Sequence, residues 1–422
     1  MGKQRSMTPH QPSLLMLRIV ERNNLQRALK QVQRKKGAPG VDGMTVEELP
    51  DYLRAHWPQL REQLVGGTYR PKPVKRVLIP KANGKQRKLG IPTVVDRFVQ
   101  QAIAQVLSEY WETKFHPDSY GFRPQRSAHQ AIRRVQAYTR AGYRTAVDLD
   151  LESFFDEVNH DRLMRALHRT HPDTDVLQLV NRYLKAPVST CDGRLSSEKG
   201  VPQGGPLSPL LANIVLNEMD WELERRQLRF ARYADDCQIL VGSHQAGQGV
   251  MASLTRFIEK TLRLKVNREK SAVADVHERT FLGFVLTRRD QRIRVSGKVL
   301  EKLKATVRTV TRRTRGHSFR KILEELRRSL LGWKAYFDAS EVLSPLKELD
   351  KWIRRKLRCY LWKQWGRAGY RRLRELGVSR QLAWNTAKSA HGPWRISHSP
   401  ALYHALPTSY FRSLGLPELA AR

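Results

Sequence analysis

The spacing of apolar side chains predicts a helical N-terminal region followed by a mixed region of strands and helices. Apolar residues recur every three or four positions over 14–32, over 44–66 and from 96 to about 111, which predicts three helices. Between the last two, segment 76–92 has short β-like runs on either side of a Gly turn, which predicts a hairpin. From 140 to 290, strand-like runs alternate with amphipathic helices. This alternation favours an α/β or α+β sheet domain.

The C-terminal part differs in pattern. After about residue 297 the chain becomes strongly basic and helical, so we expect a domain boundary near residue 290. Apolar stripes such as Leu326, Leu330 and Trp333 predict the core of a helical bundle, with Arg and Lys on its surface. The expected division of the chain is 1–66, 67–290, 291–380 and 381–422.

Composition adds a polyanionic partner to this picture. The 422 residues carry a formal net charge of +37, and the 40% hydrophobic content with many aromatic residues argues against disorder. Such a charge on an enzyme-sized chain points to nucleic acid. No apolar run approaches the ~18–20 residues that span a membrane. The three cysteines cannot form a disulfide framework or a four-thiolate zinc site, so we expect a reducing cytoplasm.

Two adjacent acids give the sharpest chemical feature. Asp235 and Asp236 lie between apolar runs in Arg-Tyr-Ala-Asp-Asp-Cys-Gln-Ile-Leu-Val, which predicts a β-hairpin with the acids at its turn. An isolated Asp-Asp pair is usually a surface turn. Adjacent carboxylates beside a core repel each other unless a cation is present, and Mg²⁺ prefers such oxygen ligands.

A second acidic segment makes the metal interpretation stronger. In Ala-Val-Asp-Leu-Asp-Leu, Asp148 and Asp150 occupy the same face of a predicted strand. A third carboxylate from a neighbouring strand would complete a site for two metals about 3.5–4 Å apart, as in phosphoryl-transfer polymerases. Strand spacing alone does not distinguish Asp148 from Asp150.

Eight motifs follow one another along the chain: GAPGVDG, RVLIPKANGKQRKLGIP, SYGFRPQRSAHQAI, AVDLDLESFFDEVNHDRL, GVPQGGPLSPLLANIVLNEMD, RYADD, LKVNREKS and FLGF. Their order resembles that in the reverse transcriptases encoded by bacterial group II introns. This resemblance implies an α+β right-hand polymerase of fingers and palm, followed by an α-helical thumb or maturase domain. It also implies that the first segment contains a template-covering loop, GAPGVDG, and that the last is a nucleic-acid-binding tail.

The resemblance assigns roles to the acids and their neighbours. It favours Asp150 over Asp148, and it implies that Asp150, Asp235 and Asp236 bind two Mg²⁺ ions. Phe155, five residues after Asp150, would lie under the incoming sugar and exclude a ribose 2′-hydroxyl. Lys270 would protonate the departing pyrophosphate.

Three further residues are expected to bind the nucleotide. Lys81 and Arg87 flank the turn of the predicted hairpin, so both side chains could reach one triphosphate, although such a hairpin could also be a surface ribbon. By the family resemblance, Gln203 lies near the 3′-hydroxyl of the incoming nucleotide.

The basic helical segment resembles the maturase domain, which binds intron RNA and aids its splicing. A dense basic face on a bundle suits contacts with phosphates. The residues expected to make them are Arg327, Arg328, Arg354, Arg355, Lys356 and Arg358. The tail resembles the short C-terminus of class C intron proteins and lacks a cysteine-based endonuclease module, so DNA cleavage is not expected.

The implied function is RNA-directed DNA polymerisation combined with maturase activity. The implied partners are a group II intron RNA, an RNA template with a DNA primer, target DNA and deoxynucleoside triphosphates, without a membrane. The implied location is the bacterial cytoplasm, in a ribonucleoprotein associated with the nucleoid. The alternatives are a splicing-only maturase, which the intact acids oppose, and a domesticated enzyme of defence or diversification, which the maturase-like segment opposes. A basic structural nucleic-acid-binding protein would explain the charge but not the acids.

Overall fold

The computed structural model describes residues 11–80, 84, 86–191 and 193–421. Within these residues the chain forms two compact units that divide between Asp275 and Val276. Two short strands after this division, at 284–286 and 293–295, pair with each other and so belong to the second unit. The domain limits given above, with a boundary near 290, remain predictions.

The first unit contains helices α1–α10 and strands β1–β8. Its helices are α1 Leu14–Ile19, α2 Arg22–Lys35, α3 Leu49–Val65, α4 Val94–Glu112, α5 Ala128–Arg140, α6 Phe154–Glu157, α7 His160–Thr170, α8 Thr174–Leu184, α9 Ser208–Arg225 and α10 His244–Phe257. Its strands are β1 Val74–Pro80, β2 Gln86–Ile91, β3 Thr145–Leu149, β4 Val188–Thr190, β5 Gly193–Leu195, β6 Arg229–Tyr233, β7 Asp236–Val241 and β8 Ala272–Asp275. A π-helical turn, Ile258–Leu262, continues α10.

A four-stranded sheet in the order β6-β7-β3-β8 carries the acidic segments. All three pairings are antiparallel, and Val147 of β3 lies between Ile239 of β7 and Val273 of β8. Ala146, Val147 and Leu149 are buried, as expected for a strand covered on both faces. The predicted hairpin of β6 and β7 is confirmed, and so is the mixed fold of helices and sheets.

A second four-stranded sheet has the order β2-β1-β4-β5. Strands β1 and β2 form the predicted antiparallel hairpin, and β4 joins β1 in parallel. Helix α4 begins close after β2 and is buried along most of its length. Thr93 caps it by accepting a hydrogen bond from the Asp96 backbone N–H. The segment 86–112 therefore runs from the edge of this sheet into the core of the unit.

The single helix expected over 14–32 is two helices. Helix α1 ends at Ile19 and α2 begins at Arg22. The buried Asn24 amide donates to the Ile19 carbonyl at 2.8 Å and to the Ala102 carbonyl at 3.1 Å, so it satisfies the end of α1 and fixes it to α4. The apolar period continues across the break because both helices pack on α4, which explains why the pattern did not reveal it.

The second unit begins with a short 3₁₀ turn and a two-stranded sheet and continues as helices around a separate apolar core. Among the described residues, no helix is long and apolar enough to cross a membrane. The elements are the 3₁₀ turn Val276–Glu278, β9 Phe284–Leu286, β10 Ile293–Val295, α11 Gly297–Val310, α12 Phe319–Phe337, α13 Ser344–Trp365, the 3₁₀ turn Gly366–Ala368, α14 Gly369–Glu375, α15 Arg380–Lys388, α16 Pro393–Ile396, α17 Pro400–Ala405 and α18 Thr408–Ser413.

Candidate active site

The acidic pair lies at the tight turn between β6 and β7. Tyr233 pairs with Asp236, so Ala234 and Asp235 alone form the loop. Ala234 has φ of 58°, a left-handed conformation that a two-residue hairpin loop requires and that Gly usually provides. Asp235 and Asp236 are both exposed at this end of the sheet. The turn therefore presents two carboxylates to solvent from the end of a buried hairpin.

The neighbouring strand β3 places Asp148 and Asp150 differently. Asp148 pairs with Gln238 inside the sheet, and the Gln238 amide donates to its carboxylate at 2.9 Å. Asp150 lies just beyond the last pair, Leu149 with Cys237, and is therefore next to the start of β7 at Asp236. The register distinguishes two acids that the strand period could not, because only Asp148 is paired within the ladder.

Segment 266–271 holds Asp150 in place. The Asp150 backbone N–H donates to Ser271 Oγ at 3.1 Å, and its carbonyl accepts from the Asn267 N–H at 2.8 Å. The same segment brings the Lys270 ammonium to 3.5 Å from Asp150 Oδ2. Lys270 is exposed, so the pair is a solvated ion pair rather than a buried one. The structure thus brings Lys270 beside the acids, and its role in protonating pyrophosphate remains a prediction.

Burial and repulsion among the acids both act on the carboxyl group of Asp236. Its pKa is raised to about 6, first by removal of the carboxyl group from water and then by the charges of Asp235, Asp150 and Asp148, while Lys270 lowers it. A bound cation would reverse the part of this shift that comes from repulsion among the carboxylates. The carboxylate set therefore suits a hard divalent cation.

The described residues contain no group of three or more His, Cys, Asp or Glu side chains arranged to hold a metal ion. The fit to a metal rests on the donor chemistry and on the mutual repulsion of the acids. Asp150, Asp235 and Asp236 supply oxygen ligands at one end of the sheet, and each remains partly or largely open to solvent. Closure of these three side chains around an ion would be needed for a complete site.

A cavity of about 420 Å³ in the same unit collects three of the residues expected to bind nucleotide. Arg87, Phe155 and Gln203 all line it. The Arg87 guanidinium donates to the Gln203 side-chain oxygen at 2.7 Å, which ties the β1–β2 hairpin to the loop before α9. Lys81 lies outside the described residues. The cavity is open to solvent.

Phe155 is fixed by its backbone rather than by burial. Its carbonyl accepts from the Val201 N–H at 2.6 Å, and the preceding ring, Phe154, is buried in the core. Ser153, before helix α6, has φ of 50°, which turns the chain sharply after β3. The Phe155 ring is half-buried and lines the cavity, whereas the Phe154 ring packs in the core.

Arg232 is a residue of the site that the sequence patterns did not identify. Arg232 and Asp220 are both fully buried and form a bidentate pair at 2.7 and 2.6 Å. The other donors of the guanidinium reach Asn213 Oδ1 at 2.9 Å, the Ala234 carbonyl at 2.8 Å and Ser119 Oγ at 2.7 Å. All five N–H groups of Arg232 are therefore satisfied, and one of them holds the acidic turn directly.

A sequence signal for this network existed. Arg232 occupies the same strand face as Phe230, which is buried, and an Arg inside a core strand requires a buried acid. Asp220 is such an acid, because it lies within the long, mostly apolar helix α9.

The basic residues expected in the second unit fall into three groups by exposure. Arg327 and Arg328 are exposed on α12, and Arg354, Arg355 and Lys356 are half-buried on α13. Arg355 and Lys356 lie over the Trp394 ring, at 4.0 and 4.8 Å from its centroid. Arg358 is only 3% exposed and donates to the Leu406 carbonyl at 3.0 Å.

Arg358 therefore requires a correction. Its guanidinium lies over the Tyr403 ring at 4.1 Å inside the unit, where it joins α13 to α17. A side chain so enclosed cannot neutralise a phosphate on the surface. The prediction that Arg358 contacts phosphates is therefore wrong, whereas the contacts expected of the other five residues remain predictions.

Comparisons with known proteins agree with the motif order. Residues 79–286 match the family model for reverse transcriptase (RNA-dependent DNA polymerase), and residues 300–377 match the group II intron, maturase-specific domain. Reverse transcriptases in general depend on a divalent metal, which agrees with the acids found here.

Two curated relatives and one solved structure are among the proteins to which this chain is similar. The chain is 36% identical over 298 residues to protein YkfC of Escherichia coli K12, covering 61% of this chain and 78% of YkfC. It is 29% identical over 326 residues to group II intron-encoded protein LtrA of Lactococcus lactis subsp. cremoris, covering 61% of this chain and 53% of LtrA. The chain thus spans most of YkfC but about half of LtrA. A Candida albicans telomerase structure aligns with a TM-score of 0.44 and 14% identity over 69% of this chain and 59% of that chain.

The buried pair predicts a specific pattern of stability changes. Arg232→Met leaves the Asp220 carboxylate buried without a cation, so we expect a loss of about 3–5 kcal/mol in the unfolding free energy of the first unit. Asp220→Leu should cost a similar amount, and the double variant should recover a large part of the loss. Urea unfolding followed by hydrogen exchange of β6 and β7 amides measures these energies as a double-mutant cycle.

Arg225→Met is the matched control, because Arg225 pairs with Glu222 at 2.8 Å on an exposed surface of the same helix. This variant should change stability by no more than about 1 kcal/mol. Losses that simply add in the Arg232 and Asp220 double variant would contradict the assigned ion pair.

Proposed function

This chain belongs to the family of group II intron reverse transcriptases that carry a maturase domain, and from this we propose that it copies RNA into DNA. We further propose that it binds a group II intron RNA, assists the splicing of that RNA and copies it during intron mobility. The proposed partners are target DNA and a DNA primer on an RNA template. The proposed location is the cytoplasm of a bacterium, in a ribonucleoprotein associated with the nucleoid.

One observation carries the polymerase proposal. Carboxylates from segments far apart in sequence, Asp150 and the pair Asp235–Asp236, converge at one end of a sheet, where burial first and then their mutual repulsion raise the pKa of Asp236. Such a cluster destabilises a folded protein unless a cation binds. Mg²⁺ is the proposed cation, and Asp150, Asp235 and Asp236 would hold it in two copies.

When bound, Mg²⁺ would activate the primer 3′-hydroxyl and stabilise the charge of the leaving pyrophosphate. The protein residues then have separate tasks. Lys270, whose ammonium lies 3.5 Å from Asp150 Oδ2, would give a proton to the leaving group. The Asp148 carboxylate, held by Gln238, would orient the strand rather than contact the ion.

The cavity lined by Arg87, Phe155 and Gln203 is the proposed nucleotide site. Arg87 would neutralise the triphosphate together with Lys81, and its bond to Gln203 would place both side chains before the nucleotide arrives. Gln203 would contact the sugar near its 3′-hydroxyl, and the Phe155 ring would exclude a 2′-hydroxyl.

The second unit is the proposed site of intron RNA binding. Arg327 and Arg328 are exposed and Arg354 is half-buried, where it interacts electrostatically with Asp350, and we expect all three charges to reach phosphates. Arg355 and Lys356 would contribute beside the Trp394 ring. A domesticated enzyme without an intron would have less use for such a surface.

The acids give the first test of the proposal. Asp235→Asn with Asp236→Asn keeps the shape of the turn but removes the charge for metal binding, so primer extension on an RNA template should fall by orders of magnitude. RNA affinity should change little, since the basic unit is untouched. A double variant that extends primers at the normal rate would refute the proposed polymerase site.

A paired comparison tests the choice between the two acids of β3. Asp150→Asn should abolish extension, whereas Asp148→Asn keeps a hydrogen bond to Gln238 possible and should retain most activity. The reverse order of activities would transfer the metal-binding role to Asp148.

Sugar selection tests the role of Phe155. Phe155→Val removes the ring that would meet a 2′-hydroxyl, so the ratio of kcat/KM for ribonucleotide to that for deoxynucleotide should rise. Deoxynucleotide turnover should also fall, because the ring positions the sugar. The measurement uses one primer and template with both nucleotides.

Phe154→Leu is the control, since Phe154 is buried in the core next to Phe155. It should lower stability and leave the selectivity ratio unchanged. An unchanged ratio in folded Phe155→Val would remove Phe155 from the proposed nucleotide site.

Salt dependence tests the basic surface. Changing Arg327, Arg328 and Arg354 to Gln should flatten the slope of log affinity against log salt, by about 0.9 per lost phosphate contact on a duplex and less on single strands. Splicing assistance should suffer more than extension on a simple template.

The control changes Arg320, Lys351 and Arg372 to Gln, because each of these exposed cations already has a Glu partner, at 3.3, 2.8 and 2.8 Å. This variant removes the same charge from the same unit and should alter the slope less. Equal slopes for the two triple variants would show that overall charge, not the named surface, binds RNA.

A further inference from the structure

An exposed aromatic ring stands beside the acidic turn in a strained backbone conformation. Phe122 is 58% exposed, and its φ of 58° lies in the left-handed region that bulky residues rarely adopt. Both features oppose stability, since the ring stays in water and the backbone is strained. A residue of this kind persists where the surrounding structure imposes it, and such residues cluster at functional sites.

The segment before Phe122 is fixed to the acidic turn. The Tyr120 N–H donates to the Arg232 carbonyl at 2.8 Å, and the Asn213 amide donates to the Gly121 carbonyl at 2.8 Å. A Cβ atom at Gly121 would collide with the backbone nitrogen of Ala234. Only Gly lets the two backbones approach so closely. The residue before Phe122 is therefore packed against the turn that carries Asp235 and Asp236.

The residue after Phe122 is fixed as firmly. Arg123 is buried, and its guanidinium donates to the carbonyls of His116 and Ser119 at 2.6 and 2.7 Å. It also forms an ion pair with Glu112 at 2.7 Å. With Gly121 and Arg123 both anchored in the core, the backbone between them has no freedom to relax, and the ring of Phe122 is held outward.

The direction of the ring is informative. Phe122 lines the same cavity as Arg87, Phe155 and Gln203, and its ring centroid is 6.3 Å from that of Tyr233, next to the acidic pair. An exposed aromatic face at this place matches the apolar faces of nucleobases and sugars, with which aromatic side chains stack or pack.

We propose that Phe122 is a nucleic-acid contact, which packs against the base pair formed by the incoming nucleotide. This inference rests on the proposed polymerase function and adds a binding residue to it. The rigid anchoring on both sides means that the ring position is set before substrate arrives, so that little ordering is needed on binding. The strain at Phe122 is then the cost of presenting a ring where the chain would otherwise place Gly or Asn.

The test separates the ring from the backbone. Phe122→Gly removes the ring and relieves the strain, and Gln125→Gly is a matched control, since Gln125 is an exposed residue of the same loop with φ of 58°. Phe122→Tyr keeps an aromatic face. The measured quantities are the thermal unfolding temperature and the Kd of the next deoxynucleotide for enzyme bound to a primer–template whose primer ends in a dideoxynucleotide.

We expect Phe122→Gly to unfold at the same or a higher temperature, yet to bind the nucleotide about tenfold more weakly, a loss within the range for one base–aromatic contact. Gln125→Gly should bind like the unmodified protein, and Phe122→Tyr should stay close to it. Unchanged nucleotide binding by Phe122→Gly, equal weakening by Gln125→Gly, or a lower unfolding temperature for Phe122→Gly would each overturn the proposal. Absence of primer extension by the unmodified protein would overturn the polymerase proposal as well, which distinguishes the two failures.

Discussion

The geometry of the candidate active site depends on one buried ion pair, Arg232 with Asp220. A buried charge costs several kcal/mol to remove from water, and a buried pair recovers this only with good geometry and full hydrogen bonding. Here all five guanidinium N–H groups have acceptors, and these come from helix α9, the loop at Ser119 and the turn at Ala234. One side chain therefore fixes the relative positions of three segments. Hydrogen bonds are directional, whereas apolar packing is not. The bonds of Arg232 therefore fix the position of the acidic turn.

The buried ion pair fixes the turn, whereas the acids on that turn lower the stability of the unit. The pKa of Asp236 is raised to about 6, above its unfolded value near 4. Its contribution to stability is therefore fully present below pH 4 and is lost as pH rises through 6, so that at neutral pH the charged carboxylate destabilises the fold. A cation bound between the acids would make the charged carboxylate of Asp236 stabilise the fold instead. The ammonium group of Lys270 provides part of this compensation. The unfavourable charge and the proposed chemistry thus have the same origin, and the buried pair beneath the turn keeps the acids together.

Periodicity and motif order predicted much of this arrangement, but they failed at identifiable places. The strand period placed Asp148 and Asp150 on one face, and only the register of β3 against β7 showed that Asp148 is paired within the ladder. The apolar period crossed the break between α1 and α2, because both helices pack on α4. The basic residues around Arg358 in the sequence predict a surface cation, yet its aliphatic stem and guanidinium lie between α13 and α17. Each failure concerns a contact between segments distant in sequence, and one-dimensional patterns do not contain such contacts.

Arg232 and Arg358 also limit what the net charge of +37 can mean. Both side chains are buried and internally bonded, and Arg123 is a third example beside the acidic turn. These cations stabilise tertiary structure, so counting Arg and Lys overestimates the charge that can meet phosphates. The guanidinium is suited to both tasks, because its five donors can satisfy carbonyls inside the protein as well as phosphate oxygens outside it. An arginine-rich chain can therefore use the same residue type to build a rigid site and to attract the polyanion that the site acts on. Burial and hydrogen bonding, rather than residue type, decide which of the two tasks each arginine performs.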